Sequence, residues 1–191
     1  MAYLNQLLHQ NSKIVVPPEA DVVDFFLVMH IRKMTQTDWP EVSKIYTEGI
    51  ATGFATFETE VPSYESWHEA HIEECRFVAE VDKDVLGWVA LTPVSSRCVY
   101  GGVAEVSVYI AENARGKGVG KSLMKKLITA SESSGYWTLQ SGIFPENRGS
   151  IILHEKVGFR FLGKRERVAK NSNGVWTDNL LFERRSTIIG V

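Results

Sequence analysis

The sequence is poor in cysteine and carries almost no net charge. It has two cysteines, Cys75 and Cys98, and no C-x-x-C motif or histidine–cysteine cluster, so it predicts neither a disulfide framework nor a bound metal. Its 21 Lys and Arg residues are balanced by 23 Asp and Glu residues, for a formal net charge of −2, which disfavours nucleic acid as a partner. Low cysteine content suits a reducing compartment, and we predict a cytoplasmic protein.

Long apolar runs are also missing. Residues 22–28 form an apolar stretch that is far too short to cross a bilayer, and no basic segment precedes it as in a secretory signal. We therefore expect no membrane partner. Pro17 and Pro18 stop any helix that begins before them. Met29 starts a segment that looks like the natural beginning of a domain, so we interpret residues 1–28 as an N-terminal extension. Residues 29–185 are interpreted as a single domain, and residues 186–191 as a C-terminal tail.

Apolar periodicity predicts elements in the order β-α-α-β-β-β-α-β-α-β-β. The first helix is expected to use Asp38 and Glu41 as a capping pair, with Pro40 in its first turn. Gly135 and Gly158 are expected to end the two later helices. Strands are predicted over residues 30–34, 77–81, 85–91, 105–110, 137–144, 159–169 and 175–182. The predicted fold class is α+β, a sheet with helices on its faces.

Residues 105–125 carry the strongest functional signal. Val106, Val108 and Ile110 alternate with polar residues as in a half-buried strand, and a helix opens after a short polar connection. A basic glycine-rich loop joins the two, and such a loop can bring several backbone N–H groups close to a ligand. Together with the helix N-terminus it is suited to phosphate, although a basic surface turn has the same composition. The loop consists of Arg115, Gly116, Lys117, Gly118, Val119, Gly120 and Lys121.

The glycine spacing separates this loop from two common phosphate motifs. Neither the G-x-x-x-x-G-K-[ST] pattern of nucleoside triphosphate loops nor the G-x-G-x-x-G pattern of dinucleotide folds is present. The R-x-x-G-x-G pattern from Arg115 to Gly120 resembles the pyrophosphate loop of the GNAT superfamily of N-acetyltransferases, which bind acetyl-coenzyme A (acetyl-CoA). The resemblance covers residues 31–183. It implies a mixed, mostly antiparallel central sheet with helices on both faces and a splayed strand pair that holds the cofactor.

The resemblance also implies cofactor contacts at matching positions. The loop from Arg115 to Lys121 would bind the pyrophosphate of acetyl-CoA. Asn147 and Ser150, on the helix after the next strand, would face the pantetheine arm. Backbone groups of the central strand would meet the same arm, at Val108, Tyr109 and Ile110.

A second motif narrows the resemblance to one branch of the superfamily. Leu153-His154-Glu155, followed by Gly158-Phe159, has histidine where the superfamily commonly has tyrosine, and it resembles the phosphinothricin and methionine sulfoximine acetyltransferases. Further matches to this branch are residues 55–60, Arg97-x-x-Tyr100, residues 105–109 and Gly174-x-Trp176-x-Asp178. The branch implies direct transfer to the α-amino group of a small amino-acid analogue. It also implies a homodimer with the pocket near the subunit interface.

Two side chains are candidate catalytic residues. Glu105 is a charged residue in an otherwise apolar strand, which is costly unless the carboxylate is paired or functional. It can remove the proton from an ammonium group, and the alternative is a structural glutamate paired with an arginine. His154 can protonate the departing thiolate or help to hold a water or the substrate carboxylate. The alternative for His154 is a neutral, hydrogen-bonded structural histidine.

The acceptor pocket is predicted from the same branch resemblance. Arg97 offers a bidentate fork to an acidic group, and Tyr100 offers a hydroxyl and an aromatic wall. Phe57, Thr59 and Glu60 would close the other side, although each of these residues can instead be an ordinary loop residue. Two other functions are open at this point: acetylation of a polyamine, peptide or protein amine, and a CoA-binding regulatory module without turnover.

Overall fold

The computed structural model of the protein describes residues 28–191. The predicted extension, apart from its last residue, lies outside the described residues. Within them are four α-helices: α1 (Trp39–Ala51), α2 (Tyr64–Ala70), α3 (Val119–Ser133) and α4 (Arg148–Lys156). The described strands are β1 (His30–Lys33), β2 (Phe77–Val81), β3 (Asp84–Pro93), β4 (Val103–Ile110), β5 (Thr138–Ile143), β6 (Arg160–Lys170) and β7 (Trp176–Arg185).

The order of these elements agrees with the order predicted from apolar periodicity. Two helix starts have side-chain caps. Ser63 accepts a hydrogen bond from the backbone N–H of Ser66 at 3.2 Å before α2, and Asn147 accepts one from Ser150 at 3.1 Å before α4. Both satisfy a donor that the first helical turn leaves unpaired. The predicted α+β fold class is therefore confirmed.

One local expectation is wrong. Asp38 precedes α1 as predicted, but its side chain does not cap the helix. Its carboxylate instead accepts two hydrogen bonds from Arg32, both of 2.7 Å, and one from the backbone N–H of Thr35 at 2.8 Å. Burial alone raises the pKa of Asp38, but these hydrogen bonds outweigh burial and lower it. The ion pair thus joins β1 to the start of α1.

The sheet has the strand order β1-β2-β3-β4-β5-β7-β6. Neighbouring strands are antiparallel except β4 and β5, which are parallel. The β4–β5 pairing joins residues 103–105 to residues 138–140 and then ends, although β4 continues to Ile110 and β5 to Ile143. The two strands therefore separate after Glu105, which confirms the predicted splayed strand pair.

Helices α1 and α2 cover one side of the sheet, which we call the Tyr109 face. Trp88 and Tyr109 are paired across β3 and β4, so their side chains lie on the same side of the sheet. Tyr46 of α1 lies 4.7 Å from Tyr109, and Trp67 of α2 lies 5.8 Å from Trp88, between ring centroids. By strand alternation, Glu105 lies on this face as well.

Helices α3 and α4 cover the opposite side, the Val108 face. Val108 is in register with Phe77 through the intervening β3, and Lys126 of α3 lies above the Phe77 ring at 5.6 Å. A Cβ placed at Gly120 of α3 would lie 3.0 Å from Leu153 of α4, so the two helices are in close contact. No helix in the described part of the chain is long and apolar enough to span a membrane.

Candidate active site

A cleft of about 1010 Å³ opens where β4 and β5 separate. Its lining comes from both sides of the sheet, because the gap between the strands connects the Tyr109 face to the Val108 face. The glycine loop and α4 line it on one side, and α1, α2 and residues 54–58 line it on the other. We call this space the β4–β5 cleft. Two molecules that enter from opposite faces would therefore meet near Glu105.

The glycine loop has the backbone shape that its composition predicts. Gly116 and Gly118 have φ angles of +79° and +84°, and Gly118 is the N-cap of α3. These left-handed conformations strain any residue with a Cβ. The Nε of Arg115 donates a hydrogen bond to the carbonyl of Ile110 at 3.3 Å. The loop therefore turns back toward the end of β4, with the N-terminus of α3 at the cleft.

The predicted cofactor positions come together at this cleft with one exception. Lys117 is exposed and does not line it. Those that line it are Val108, Tyr109, Ile110, Arg115, Gly116, Gly118, Val119, Gly120, Lys121, Asn147 and Ser150. Beyond Glu105, the side of β4 away from β3 has no strand partner among the described residues, so its backbone groups can pair with the amides of an extended ligand. The donor set and the two positive-φ glycines suit a pyrophosphate attached to such an arm.

Glu105 lines the cleft at the point where the strands separate. It is paired across the sheet with Thr92 of β3 and Gln140 of β5. The Glu105 carboxylate makes no ion pair with any residue in the described range 28–191. The structural alternative, a glutamate paired with an arginine, is therefore not observed within this part of the chain.

His154 lies in α4 and is buried, with 1% of its surface exposed. Its Nδ1 lies 2.8 Å from the Ser150 carbonyl, which can only accept, so Nδ1 carries the proton. Burial lowers the pKa of His154, against the opposing effect of this hydrogen bond, and the ring is neutral near pH 7. Its Nε2 is an acceptor that has no hydrogen-bond partner among residues 28–191. This state does not favour the predicted donation of a proton to a thiolate.

The Tyr109 side of the cleft is an aromatic wall that sequence reasoning did not assign. His71 stacks on Trp67 with ring centroids 4.1 Å apart, and its Nδ1 lies 2.7 Å from the Trp67 carbonyl. Burial, with the nearby charge of Arg76, lowers the pKa of His71 to about 4. Burial also raises the pKa of Tyr46 and Tyr109, so both phenols stay protonated. The wall is therefore neutral, and two acidic residues of the described chain line the cleft with it, Glu58 and Glu105.

The predicted acceptor residues are only partly brought together. Phe57 lines the cleft and packs edge-on against Phe144 at 4.4 Å. The guanidinium of Arg97 lies over the Tyr100 ring at 5.6 Å, on the loop that leaves the sheet after β3. Four of the predicted residues are exposed and do not line the cleft of a single chain: Thr59, Glu60, Arg97 and Tyr100.

Two further lining residues, Arg165 and Asn179, were not predicted from the sequence. They lie on β6 and β7, and they reach the cleft because β7 pairs with β5 and β6 pairs with β7. No local motif marks either of them. Their cleft position depends on the register between strands that are distant in sequence.

Comparison with known proteins identifies the family. A family model described as the acetyltransferase (GNAT) family matches residues 33–159, more than half of the chain. The protein belongs to the GNAT acetyltransferase family. The predicted resemblance is therefore confirmed.

Similar proteins support the same family and add two named activities. The phosphinothricin N-acetyltransferase of Alcaligenes faecalis is 32% identical over 161 residues, which cover 81% of this chain and 81% of that protein. The L-methionine sulfoximine/L-methionine sulfone acetyltransferase of Pseudomonas paraeruginosa is 25% identical over 154 residues, which cover 78% of this chain and 89% of that one. This GNAT protein is accordingly an N-acetyltransferase.

A solved structure shows the cofactor in the same fold. The crystal structure of a GNAT superfamily phosphinothricin acetyltransferase from Sinorhizobium meliloti in complex with acetyl-CoA superposes with a TM-score of 0.73 and 25% sequence identity. The match covers 83% of this chain and 88% of that chain. Acetyl-CoA is therefore the cofactor of this GNAT acetyltransferase, as predicted.

Proposed function

We propose that this enzyme transfers an acetyl group from acetyl-CoA to the α-amino group of a small amino-acid analogue such as phosphinothricin, methionine sulfoximine or methionine sulfone. The observation that carries the proposal is Glu105. Its carboxylate has no ion-pair partner in the described chain and lies where the two faces of the cleft meet. The names of the similar proteins support the acceptor class.

The Val108 side of the cleft is suited to hold the cofactor. When bound, acetyl-CoA supplies an acetyl group activated as a thioester. Arg115, Lys121 and the N–H groups at the start of α3 would bind its pyrophosphate. Asn147 and Ser150, with the free edge of β4, would position the pantetheine arm. N–H donors of this edge would stabilise negative charge that develops on the thioester oxygen.

Glu105 would act as the general base. An α-amino group titrates near ~8 and is mostly protonated at neutral pH, and only the free amine is a nucleophile. Glu105 accepts the ammonium proton directly or through a water, and the amine then attacks the thioester. The C–N bond would form as the C–S bond breaks, without a covalent enzyme intermediate. The departing thiolate would take up the second proton of the amine nitrogen, so that CoA leaves as the thiol. Cys75 and Cys98 both lie outside the cleft lining.

His154 would serve the same reaction as a hydrogen-bond acceptor. With its proton fixed on Nδ1 by the Ser150 carbonyl, the neutral ring offers Nε2 to a water or to an N–H group of the acceptor. Of the roles predicted for His154, this assignment selects the holding of a water. A ring that accepts through Nε2 does not suit the other two, donation to the thiolate and binding of the substrate carboxylate. Proton donation to the thiolate would first require a protonated ring, which burial disfavours.

We also propose that two chains form a homodimer through the β6–β7 hairpin. Strand β6 is the edge of the sheet, and an exposed apolar edge is a site of association. The exposed apolar side chains at this hairpin are Phe161, Leu162, Val168, Val175 and Trp176. A dimer would also offer a second chain to the cleft, which in one chain lacks the predicted Arg97 and Tyr100.

The first test is the substitution Glu105→Gln. We expect kcat for the amino-acid analogues to fall by about 10²–10⁴-fold at neutral pH, because the general base is removed. The KM for acetyl-CoA should stay within about twofold, because the glycine loop is unchanged. A thiol-release assay with acetyl-CoA measures both parameters. The matched control is Glu69→Gln, which removes the same charge from an exposed position of α2 outside the cleft lining.

The acceptor panel should contain the three analogues, ordinary amino acids, spermidine and a peptide. Saturable turnover of the analogues supports the proposed acceptor class. Turnover of spermidine or the peptide alone contradicts it and leaves the family assignment intact. Full activity of Glu105→Gln contradicts the proposed base. Acetyl-CoA binding without transfer to any amine would indicate the regulatory module instead.

A further inference from the structure

Arg165 lies on the Tyr109 face of the sheet, together with Glu105. It is paired with Asn179 across β6 and β7. Asn179 and Glu183 share a face by alternation along β7, and Glu183 is paired with Gln140 of β5. Gln140 is in turn paired with Glu105. The register therefore places Arg165 and Glu105 on the same side of the sheet, and both line the cleft.

The guanidinium of Arg165 is held by a buried partner. Its Nη2 donates a hydrogen bond of 2.6 Å to Oδ1 of Asn179, a residue with 3% of its surface exposed. The Asn179 amide occupies the space that a Cβ at Gly142 would need, at a distance of 2.7 Å. A glycine at position 142 thus lets Asn179 reach under Arg165. This contact orients an arginine whose side chain would otherwise sample many rotamers.

The local shape of β6 also fixes the position of Arg165. The pairing of β6 with β7 has a register shift between Arg165 and Ala169, and Arg167 within it has a φ of +47°. The backbone N–H of Arg167 donates a hydrogen bond of 2.9 Å to Asp178, which stabilises this irregular turn. Bulges of this kind often lie next to active sites, where they redirect side chains.

Arg165 is the cation available to the acceptor. The cationic side chains that line the cleft within residues 28–191 are Arg115, Lys121, Lys156 and Arg165. The first two belong to the glycine loop, and Lys156 belongs to α4 on the Val108 face. Arg165 makes no ion pair within the described chain, and its Nε and Nη1 have no hydrogen-bond partner there. Planar N–H donors in this state suit a carboxylate or phosphinate.

We infer that Arg165, positioned by Asn179, binds an acidic group of the acceptor and sets a preference for anionic amines. This inference rests on the proposed function and names its specificity residue. It gives Arg165 the role that the sequence suggested for Arg97, which lies outside the cleft lining of a single chain. The acidic group is either the α-carboxylate or an anionic tail, and the two are separated by experiment.

The test measures two contrasts with the wild-type enzyme and Arg165→Gln. The first contrast compares phosphinothricin, which has an anionic tail, with methionine sulfone, which has a neutral tail. The second compares methionine sulfone with its carboxamide, which lacks the α-carboxylate. In the contrast that contains the acidic group bound by Arg165, we expect Arg165→Gln to reduce kcat/KM for the acceptor with that group by about 10–100-fold, mostly through a higher KM. The kcat/KM for the acceptor without that group should change by less than about threefold. Arg165→Lys should retain part of the preference, because lysine keeps the charge but not the fork.

The control is Arg160→Gln, which removes the same charge from the same strand. Arg160 is paired with Glu183 at an exposed position outside the cleft lining, so neither contrast should change. Unchanged contrasts in Arg165→Gln overturn the inference while leaving the proposed acetylation intact. If no amine is acetylated, acceptor binding is measured instead of kcat/KM. The measured quantity is the rise in melting temperature that each acceptor causes in the CoA-bound protein, for wild type and Arg165→Gln. A larger shift with the acid that disappears in Arg165→Gln supports the inference, and equal or absent shifts overturn it.

Discussion

His71 and His154 line the cleft, and in each ring a backbone carbonyl determines which nitrogen carries the proton. Nδ1 lies 2.7 Å from the Trp67 carbonyl in His71 and 2.8 Å from the Ser150 carbonyl in His154. Burial lowers the pKa of both rings. A ring in this state accepts a hydrogen bond through Nε2. The cleft therefore offers neutral acceptors on both faces of the sheet, and the carboxyl group at the strand separation is that of Glu105.

The lowered pKa values predict a loss of stability in mild acid. The pKa of His71 is about 4 in the folded protein, against an ordinary value of 6.5. The unfolded chain therefore binds this proton first, so the contribution of His71 is fully present above pH 6.5 and is lost as the pH falls toward 4. At about 1.36 kcal/mol per pKa unit, His71 accounts for at most about 3 kcal/mol of the free energy of unfolding.

Urea unfolding at about pH 7.5, 5.5 and 4.5 measures this effect. Wild-type protein should lose stability across the series, and His71→Gln should lose less, because the titrating group is gone. His30→Gln is the control, since His30 lies exposed on β1. Equal pH dependence in wild-type protein and His71→Gln would exclude His71 as a cause of the acid sensitivity.

The glycine loop gives a prediction that separates backbone strain from cofactor binding. Gly116 and Gly135 have φ angles of +79° and +87°, and a Cβ at either position meets no atom within 4 Å. Alanine should therefore strain both by about 1–2 kcal/mol. Gly116 lines the cleft, whereas Gly135 follows α3 and does not. We expect both Gly→Ala variants to lower the free energy of unfolding similarly.

The cofactor response should differ between these two variants. Gly116→Ala reorients N–H groups of the loop and should raise the KM for acetyl-CoA by about tenfold, the equivalent of about one hydrogen bond. Gly135→Ala should leave this KM unchanged. Urea unfolding and thiol-release kinetics on the same preparations give both quantities. A KM that rises equally in the two variants would show that strain, and not the loop's N–H groups, limits binding.

Continuous segments of the chain were predictable, and contacts between distant segments were not. The glycine loop and the start of α3 are contiguous, so all their predicted residues except Lys117 reach the cleft together. Arg165 depends on pairing across β5, β7 and β6, where a slip of one residue would move it to the other face. The predicted Asp38 cap failed for a related reason, since Arg32 from β1 takes the carboxylate. Local patterns contain no information about such partners.

The sheet of this enzyme ends at β6, and apolar side chains are exposed along that edge. Antiparallel edge strands leave N–H and C=O groups unpaired and are usually protected by charge or by a covering element. The β6–β7 hairpin has charged residues, but Phe161, Val175 and Trp176 each have 54% to 58% of their surface exposed to solvent. A second copy of the chain would bury these side chains, which supports the proposed homodimer.

Light scattering coupled to size-exclusion chromatography tests that dimer. We expect wild-type protein to elute as a dimer and Trp176→Glu to elute as a monomer, because a glutamate buried without a partner costs several kcal/mol. Ile188→Glu is the control, since Ile188 is an exposed apolar residue beyond β7. If the cleft is completed by the second chain, the Trp176→Glu monomer should also show a raised KM for the acceptor and an unchanged KM for acetyl-CoA. A fully active Trp176→Glu monomer would show that one chain is sufficient to form the cleft. Wild-type protein that elutes as a monomer would contradict the proposed homodimer.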